Sequence, residues 1–165
     1  MLRTLVICAG AWFIAFAGLA QEPADIPAPE RMDAQGIQAW YESYIRADGW
    51  TVIGANDVFV AMGSPGGASV MDDGTMLATI RHEYYEPRTL GGHTMRSLQQ
   101  MGLIDCRRRV NRILSMTIFE RSNLQGTRVT RESPNSEWTT PSPNSLYLTT
   151  IDRVCDAPQE GQRPN

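Results

Sequence analysis

The feature that most constrains the fold is the stretch of residues 51–132, in which the hydrophobic pattern has a period of two. Such alternation is typical of β-strands, because successive side chains of a strand point to opposite faces of the sheet. Gly, Asn and Asp mark turns between the alternating runs. We therefore expect strands at residues 51–62 (one or two strands), 68–71, 75–83, 96–105, 110–120 and 127–132, with a loop at residues 87–93.

Helical segments flank this stretch on both sides. Asp33 can cap a helix over residues 34–47, whose apolar residues recur at helical spacing: Ile37, Trp40, Tyr41, Tyr44 and Ile45. Asn144 and Ser145 can cap a second helix, with one face formed by Leu146, Ile151, Val154 and Cys155. The sequence therefore predicts an α+β fold, an antiparallel sheet of about six strands flanked by an N-terminal and a C-terminal helix.

The first 20 residues have the layout of a secretory signal peptide. Arg3 supplies a positive charge, residues 5–19 are apolar, and residues 18–20 (Gly-Leu-Ala) supply small side chains for cleavage. An uncleaved anchor is the alternative, although a membrane-spanning helix needs about 20 apolar residues. The expected divisions are residues 1–20 as signal peptide, 21–33 as Pro-rich linker, 34–156 as one domain and 157–165 as disordered tail. The mature protein is then exported, periplasmic or secreted, with no stable membrane span.

Cleavage leaves two cysteines, Cys106 and Cys155. An even count in an exported protein indicates one disulfide, because the compartment is oxidising. The bridge would close a loop of roughly 50 residues and stabilise the fold by about 4 kcal/mol. A redox or nucleophilic pair is the alternative, but neither cysteine belongs to a C-x-x-C motif, so we favour a structural bridge.

The charge composition narrows the classes of function. The chain has 15 basic residues, all of them Arg, against 18 acidic residues, for a net charge of −3. We expect no nucleic-acid partner, because phosphate binding usually shows as a basic excess. The absence of Lys also excludes mechanisms that need a Schiff-base, P-loop or Ser-Lys lysine.

We expect no catalytic residues, cofactor or metal site. Residues 63–69 are Gly-rich, but a strand follows them, which favours a hairpin loop over a phosphate-binding loop. His82 and His93 lack the H-x-x-x-H and H-x-H spacings of zinc sites. Asp72 and Asp73 lie in a predicted tight turn, where Asp serves the backbone geometry. A pair of carboxylates assembled in space would escape this reasoning.

Three arginines follow Cys106 in the segment LIDCRRRVNRIL at residues 103–114. In an unbroken strand Arg108 would share the face of Cys106, and burying Arg108 unpaired would be costly. We therefore expect either a β-bulge at residues 107–109 or a position at the sheet margin where Arg108 pairs with a carboxylate. Beyond the arginines, one parity of the strand is apolar: Val110, Leu114, Met116 and Ile118.

Two interpretations of the arginines remain open. They can form a rim that solvates the strand and discourages edge pairing, with Arg108 the only costly loss of the three in a row. Alternatively, Arg107, Arg109, Arg112 and Arg121 form a basic stripe that binds an anionic partner, such as a glycosaminoglycan, a lipid headgroup or an acidic protein. We favour the first interpretation.

The second half of the chain resembles a known family. One strand ends in a Tyr pair and Pro (IRHEYYEP), a second ends in Asp-Cys (RSLQQMGLIDC), and an Arg-rich strand follows (RRRVNRILSMTIFE). A lone Trp138, a Pro-Asn-Ser and a helix ending in Val-Cys complete the pattern, which extends from Trp50 to Cys155. This pattern resembles the surface-adhesin protein E-like family of Gram-negative bacteria. The resemblance implies a small exported protein with a sheet, a flanking helix and a Cys106–Cys155 disulfide, and with binding of host matrix and plasma proteins in the best-studied members.

Three functions are consistent with the sequence. The first is an exported, non-catalytic, adhesin-like binding module of the bacterial envelope. The second is a periplasmic structural or assembly factor that contacts another bacterial protein, through an exposed sheet edge for example. The third is a hydrolase whose site the sequence does not reveal, which a cleft joining His82, His93 or acidic groups would favour. We expect a protein partner, either of the host matrix or of the envelope, with a homodimer as a further option.

Overall fold

The computed structural model describes residues 26–64, 66–133 and 135–156. The predicted signal peptide, the first residues of the predicted linker and the predicted C-terminal tail lie outside the described residues. Within the described ranges, no helix is both long enough and apolar enough to cross a membrane.

Two helices and an antiparallel sheet make up the described fold. The elements in chain order are α1 (Ala34–Tyr44), β1 (Thr51–Ala55), β2 (Phe59–Gly63), β3 (Ser69–Val70), β4 (Met76–Leu90), β5 (His93–Asp105), β6 (Val110–Arg121), β7 (Gln125–Glu132) and α2 (Leu146–Asp156). The strand order is β1-β2-β4-β5-β6-β7, and β3 pairs with the start of β4. Adjacent strands in the chain are mostly neighbours in the sheet, and all pairs are antiparallel. The predicted α+β fold is confirmed.

Both predicted helix caps form. The Asp33 side chain accepts a hydrogen bond from Gly36 N at 2.8 Å, and Ser145 Oγ accepts one from Leu148 N at 3.2 Å. Helix α1 ends at Tyr44, three residues before the predicted end. The reason is a tertiary contact, because Arg46 N donates to Asn123 Oδ1 at 2.8 Å and so leaves the helical hydrogen-bond pattern.

The predicted loop at residues 87–93 is wrong. Strand β4 continues to Leu90, β5 begins at His93, and only Gly91 and Gly92 form the turn between them. Both glycines have positive φ, 57° and 82°, which a residue with a Cβ atom adopts at a cost. Pro87 is tolerated because the β4–β5 register is irregular between Glu83 and Arg88, where no ladder hydrogen bond is required of the proline.

Each helix covers one face of the sheet. The face under α2 contains Ala61, Ile80, Leu98 and Ile118, which pack with the fully buried Ile151 of the helix. Burying side chains of this size stabilises a fold by about 1.5–3 kcal/mol each. The opposite face carries a smaller cluster beneath α1: Trp40, Ile45, Val60, Met62 and Tyr85.

Trp40 joins the segment before α1 to this smaller cluster. Its ring meets Tyr85 edge-on, with the ring centroids 5.1 Å apart. The indole Nε1 donates to the Pro27 carbonyl at 2.6 Å. The residues before the helix are therefore held against α1 by a buried aromatic residue that satisfies its polar atom.

The three consecutive arginines lie in a turn. Residues 106–109 connect β5 to β6, so the expected β-bulge at residues 107–109 is wrong. The alternative agrees with the structure, because Arg108 lies at the sheet margin, 3.9 Å from the Asp105 carboxylate. Asp105 Oδ1 accepts from Arg107 N at 3.0 Å and from Arg108 N at 3.1 Å, an Asx-type turn that only a short acceptor side chain allows. Arg109 has a φ of 55° and closes the turn. The arginines are exposed because a hairpin turn faces the solvent.

The irregularity in β6 lies further along the strand. The β5–β6 register shifts between Met101 and Gly102, opposite Ser115 and Ile113. A Cβ atom at Gly102 would lie 2.7 Å from the carbonyl oxygen of Arg112, so this position of close approach requires glycine. The shift reverses the faces, and the expectation that Val110 shares a face with Met116 and Ile118 is therefore wrong.

The Cys106–Cys155 disulfide is confirmed. It joins the residue after β5 to the last turn of α2, across 49 residues of sequence, with the Cα atoms 5.6 Å apart. Because that helix covers the larger core cluster, the bridge stabilises both the β5–β6 turn and the packing of the helix on the sheet.

Candidate functional site

The four arginines predicted as a basic stripe lie in two separate places. Arg107 and Arg109 are in the β5–β6 turn and Arg112 follows in β6, whereas Arg121 ends that strand. Strand β6 has 12 residues, and a strand rises about 3.3 Å per residue, so its ends lie roughly 35 Å apart. We call Arg107, Arg108, Arg109 and Arg112 the hairpin arginines. The structure does not bring Arg121 together with them.

Most hairpin arginines contact other parts of the chain. Arg109 forms an ion pair with Asp152 of α2, in which the two side chains are 46% and 38% exposed. The guanidinium carbon of Arg112 lies 5.2 Å from the centre of the Trp138 ring, and that of Arg108 lies 6.0 Å from it. Arg108 also lies 3.9 Å from Asp105, at the outer limit of an ion pair. These contacts fix the turn against α2 and the segment before it.

Trp138 is positioned by a short backbone bridge. Asn111 N donates to Thr139 O at 3.0 Å, and Thr139 N donates to Asn111 O at 2.8 Å. The bridge holds the chain beside β6, so the Trp138 ring lies next to Arg112. By contrast, the Arg107 side chain has no hydrogen-bond or ion-pair partner in the part of the chain that the structure describes.

Arg121 belongs to a second basic surface at the other end of the sheet. A groove of about 350 Å³ lies between the end of α1 and the β6–β7 turn. Three arginines line it, Arg46, Arg96 and Arg121, which we call the groove arginines. Glu42 is the acidic residue among the described lining residues, and its carboxylate accepts from Gln38 Nε2 at 2.6 Å. Among the described residues of the lining, arginines therefore outnumber acidic side chains.

A buried ion pair lies beneath the groove. Arg81 and Glu83 are adjacent on one face of β4, and their side chains are 2% and 0% exposed. Arg81 Nε donates to Glu83 Oε1 at 2.7 Å, and the Nη2 atom lies 2.6 Å from the same oxygen. Asn123 N is 3.1 Å from both carboxylate oxygens. Burial raises the pKa of Glu83 to about 7, and Arg81 and the Asn123 amide act in the opposite direction.

Asn123 connects this pair to the groove. Its Oδ1 accepts from Arg46 N at 2.8 Å and from Arg81 Nη2 at 3.1 Å, and its Nδ2 donates to Tyr44 O at 3.1 Å. Arg81 Nη1 donates to Arg46 O at 2.9 Å. Asn123 has a φ of 62°, a conformation that asparagine tolerates better than most residues. The backbone of Arg46 is therefore held on both its amide and its carbonyl side.

Sequence reasoning missed two of the groove arginines and the role of Asn123. The predicted strands at residues 110–120 and 127–132 place Asn123 in the connection between them but give no partner for its side chain. Arg46 and Arg96 are distant from Arg121 in the chain, and only strand pairing and the end of α1 bring the three together. No local motif carries that information.

The two histidines do not converge. His82 is buried under α2, with its ring 4.4 Å from Phe59 and 5.8 Å from Tyr147, and burial lowers its pKa to about 4. The cavity beside it has a volume of about 20 Å³, room for a single water. His93 is exposed at the first position of β5, and Leu98 of that strand pairs with His82, so the two lie roughly 17 Å apart along the strand.

The comparisons with known proteins agree with this architecture. The family model for surface-adhesin protein E matches residues 66–156, more than half of the chain, and the chain belongs to this family. A structure of Haemophilus influenzae protein E in its crystal form II is similar, with a TM-score of 0.52 and 11% identity over 67% of this chain and 89% of that one. A second structure of Haemophilus influenzae protein E gives a TM-score of 0.51 at 11% identity, over 67% of this chain and 86% of that one. At this identity the likeness is one of fold. No curated protein sequence matches the chain.

Proposed function

We propose that this chain is an exported, non-catalytic binding module of the bacterial envelope with an adhesin-like role, and that its partner is a protein. Membership of the surface-adhesin protein E family is the observation that carries the proposal. The shared fold with Haemophilus influenzae protein E supports it. The partner is a protein of the host matrix or of the bacterial envelope, and the site of action is the cell surface, the periplasm or the medium.

The fold provides the rigid support that a binding module needs. A binding module needs an exposed surface on a backbone that does not rearrange when the partner arrives. Here the Cys106–Cys155 bridge fixes one end of the sheet, and the buried Arg81–Glu83 pair with Asn123 fixes the other. Both basic surfaces thus lie on rigid supports.

The anion-binding role predicted for four arginines stays a prediction: Arg107, Arg109, Arg112 and Arg121. Their contacts suggest that two of them have a structural role and that the other two are free to serve binding. Arg109 and Arg112 contact Asp152 and Trp138, so they contribute to the local fold. Arg107 is exposed at the tip of the turn, and Arg121 lines the groove. We expect these two residues, rather than all four, to reach a partner.

The sheet edge is a weaker candidate for the binding surface. Strand β7 is exposed along most of its length and forms one edge of the sheet. It carries Arg128, Arg131 and Glu132, and charged side chains on an edge strand discourage the addition of another strand. Strand addition at this edge of the sheet is therefore disfavoured.

A paired capture assay tests the proposal. The mature protein, immobilised with its disulfide intact, is incubated with purified host matrix proteins and, separately, with envelope extract from the native bacterium. We expect saturable capture of a protein in one of the two arms. Reduced and alkylated protein is the matched control, and it should capture nothing specific because its fold is destabilised. Turnover of a hydrolase substrate panel without any saturable capture would contradict the proposal.

A further inference from the structure

We propose that the groove lined by Arg46, Arg96 and Arg121 binds an acidic segment of a partner protein, with the exposed ring of Tyr44 as the apolar contact beside it. The inference rests on the proposed function in taking the partner to be a protein. It adds the surface and the chemistry that the partner must present. The groove, and not the arginine-rich turn, is then the main recognition surface.

The charge of the described groove lining differs in sign from the net charge of the whole chain. The chain as a whole has a net charge of −3, yet Arg46 and Arg121 outnumber Glu42 in the described lining of the groove, where Arg96 already donates to Ile26. Arg81 lies directly beneath and is already paired with Glu83. A local positive region on an acidic protein attracts anionic groups to one place rather than to the whole surface. Guanidinium groups recognise carboxylates in a planar, two-pronged geometry.

The backbone under the groove is fixed before any ligand binds. Arg46 is held through its amide by Asn123 Oδ1 and through its carbonyl by Arg81 Nη1. Arg121 is held through its carbonyl, which accepts from the buried Ser97 Oγ at 2.8 Å. Arg96 Nη1 donates to the Ile26 carbonyl at 2.8 Å. The backbone of Arg46 and Arg121 and the side chain of Arg96 are therefore ordered before binding, which lowers the entropic cost of binding.

The surface beside the groove adds apolar contacts to the charged ones. Tyr44 is 43% exposed and lines both the groove and a neighbouring cavity of about 380 Å³. That second cavity is lined by Pro27, Pro29 and Trp40, and also by the charged Glu30 and Arg31. Charged and apolar contacts thus lie side by side. A peptide with acidic and aliphatic side chains matches both, whereas a sulfated saccharide or a lipid headgroup matches only the charge. Tyr and Arg are also the residues most enriched where proteins bind proteins.

Two variants with the same change in charge separate the groove from the rest of the surface. The groove variant is Arg46→Gln with Arg121→Gln, which keeps the backbone contacts of both residues. The matched control is Arg88→Gln with Arg128→Gln, two exposed arginines outside the groove. Circular dichroism and thermal unfolding of the mature proteins establish that both variants keep the fold, since the changed side chains are not in the core.

The probe is a fluorescein-labelled synthetic peptide rich in Glu with interspersed Leu, and its counterpart has every Glu replaced by Gln. We expect wild-type and control proteins to bind the acidic peptide within about twofold of each other, and the groove variant to bind at least about tenfold more weakly. The Gln peptide should bind none of them. Equal losses in the groove variant and the control would overturn the inference, as would equal binding of the two peptides.

Two further arms decide the class of partner. A heparin fragment and vesicles of anionic lipid replace the peptide in the same titration. Tighter binding of either one, lost in the groove variant, would overturn the assignment of a protein segment as the occupant. The capture assay with the groove variant separates this inference from the proposed function. Unchanged capture by that variant would overturn the inference and leave the function standing, whereas no capture by wild type would overturn the function.

Discussion

The two basic surfaces of the molecule use the same residue in opposite ways. At the hairpin turn, three arginines are adjacent in sequence, and Arg109 and Arg112 contact Asp152 and Trp138 of the same chain. At the groove, the arginines come from three distant segments, and what is fixed for Arg46 and Arg121 is the backbone. The consecutive arginines in the sequence therefore stabilise a local turn. The groove, which is better suited to a ligand, forms only when distant segments fold together.

The largest effect is expected beneath the groove. Arg81→Ala leaves the Glu83 carboxyl buried without its cation, and breaking a buried pair in this way costs about 3–5 kcal/mol of unfolding free energy. Urea unfolding measures the loss. The double variant Arg81→Met with Glu83→Leu is the control, and it should recover part of the stability because no charge then remains buried. A loss below about 1 kcal/mol in Arg81→Ala would show that the pair does not support the groove.

The second effect concerns the support of the hairpin. Replacing Cys106 and Cys155 with Ser removes the bridge between the turn and α2. We expect the unfolding free energy to fall by about 2–4 kcal/mol, because a loop of this length is no longer closed in the unfolded chain. Thermal unfolding of the double variant beside the oxidised wild type tests this expectation. Identical midpoints would mean that packing alone holds α2 on the sheet.

Smaller effects are expected for the hairpin arginines themselves. Arg109→Ala breaks the exposed pair with Asp152 and should cost about 0.2–1 kcal/mol. Arg107→Gln and Arg108→Gln should stay within about 0.5 kcal/mol, because both side chains are exposed. Unfolding of the three variants, with an Arg109–Asp152 double-mutant cycle, gives the ranking. This ranking replaces the expectation that Arg108 is the only costly loss, and a cost at Arg108 above that at Arg109 would reverse it.

A pH titration of stability should show two buried groups that oppose each other. Glu83 has a folded pKa of about 7 against an ordinary 4.5, so its contribution is complete below pH 4.5 and is lost as the pH rises to about 7. His82 has a folded pKa of about 4 against 6.5, so its contribution is complete above pH 6.5 and is lost as the pH falls to about 4. The variant His82→Phe removes the pH-dependent contribution of His82 to stability. Relative to wild type, its stability should fall more steeply as the pH rises from 4.5 to 6.5, and parallel profiles would contradict this assignment.

Local patterns were sufficient for most of the fold. The capping residues Asp33 and Ser145 predicted where both helices begin, and the period-two stretch predicted the sheet. The cysteine pair followed from the cysteine count and the expected export of the protein to an oxidising compartment. These signals are local or compositional, so a single sequence contains them.

The remaining features depend on contacts between distant segments. The register shift opposite Met101 and Gly102 moves the side chains on one part of β6 to the other face of the sheet. The alternating sequence pattern of that strand does not reveal the shift. The end of α1 depends on the Asn123 side chain of another turn. The groove is the extreme case, because its arginines meet only after β5, β6 and α1 have taken their places.

Side-chain NMR of the arginines tests the difference between the two surfaces most directly. Uniformly labelled mature protein is titrated with the Glu-rich peptide, and the Nε–Hε signals of the arginines are followed, after assignment through single Arg→Gln variants. We expect the signals of Arg46, Arg96 and Arg121 to shift with a common saturation curve, while those of Arg109 and Arg112 stay in place. Saturable shifts at the hairpin arginines with none at the groove would contradict this expectation.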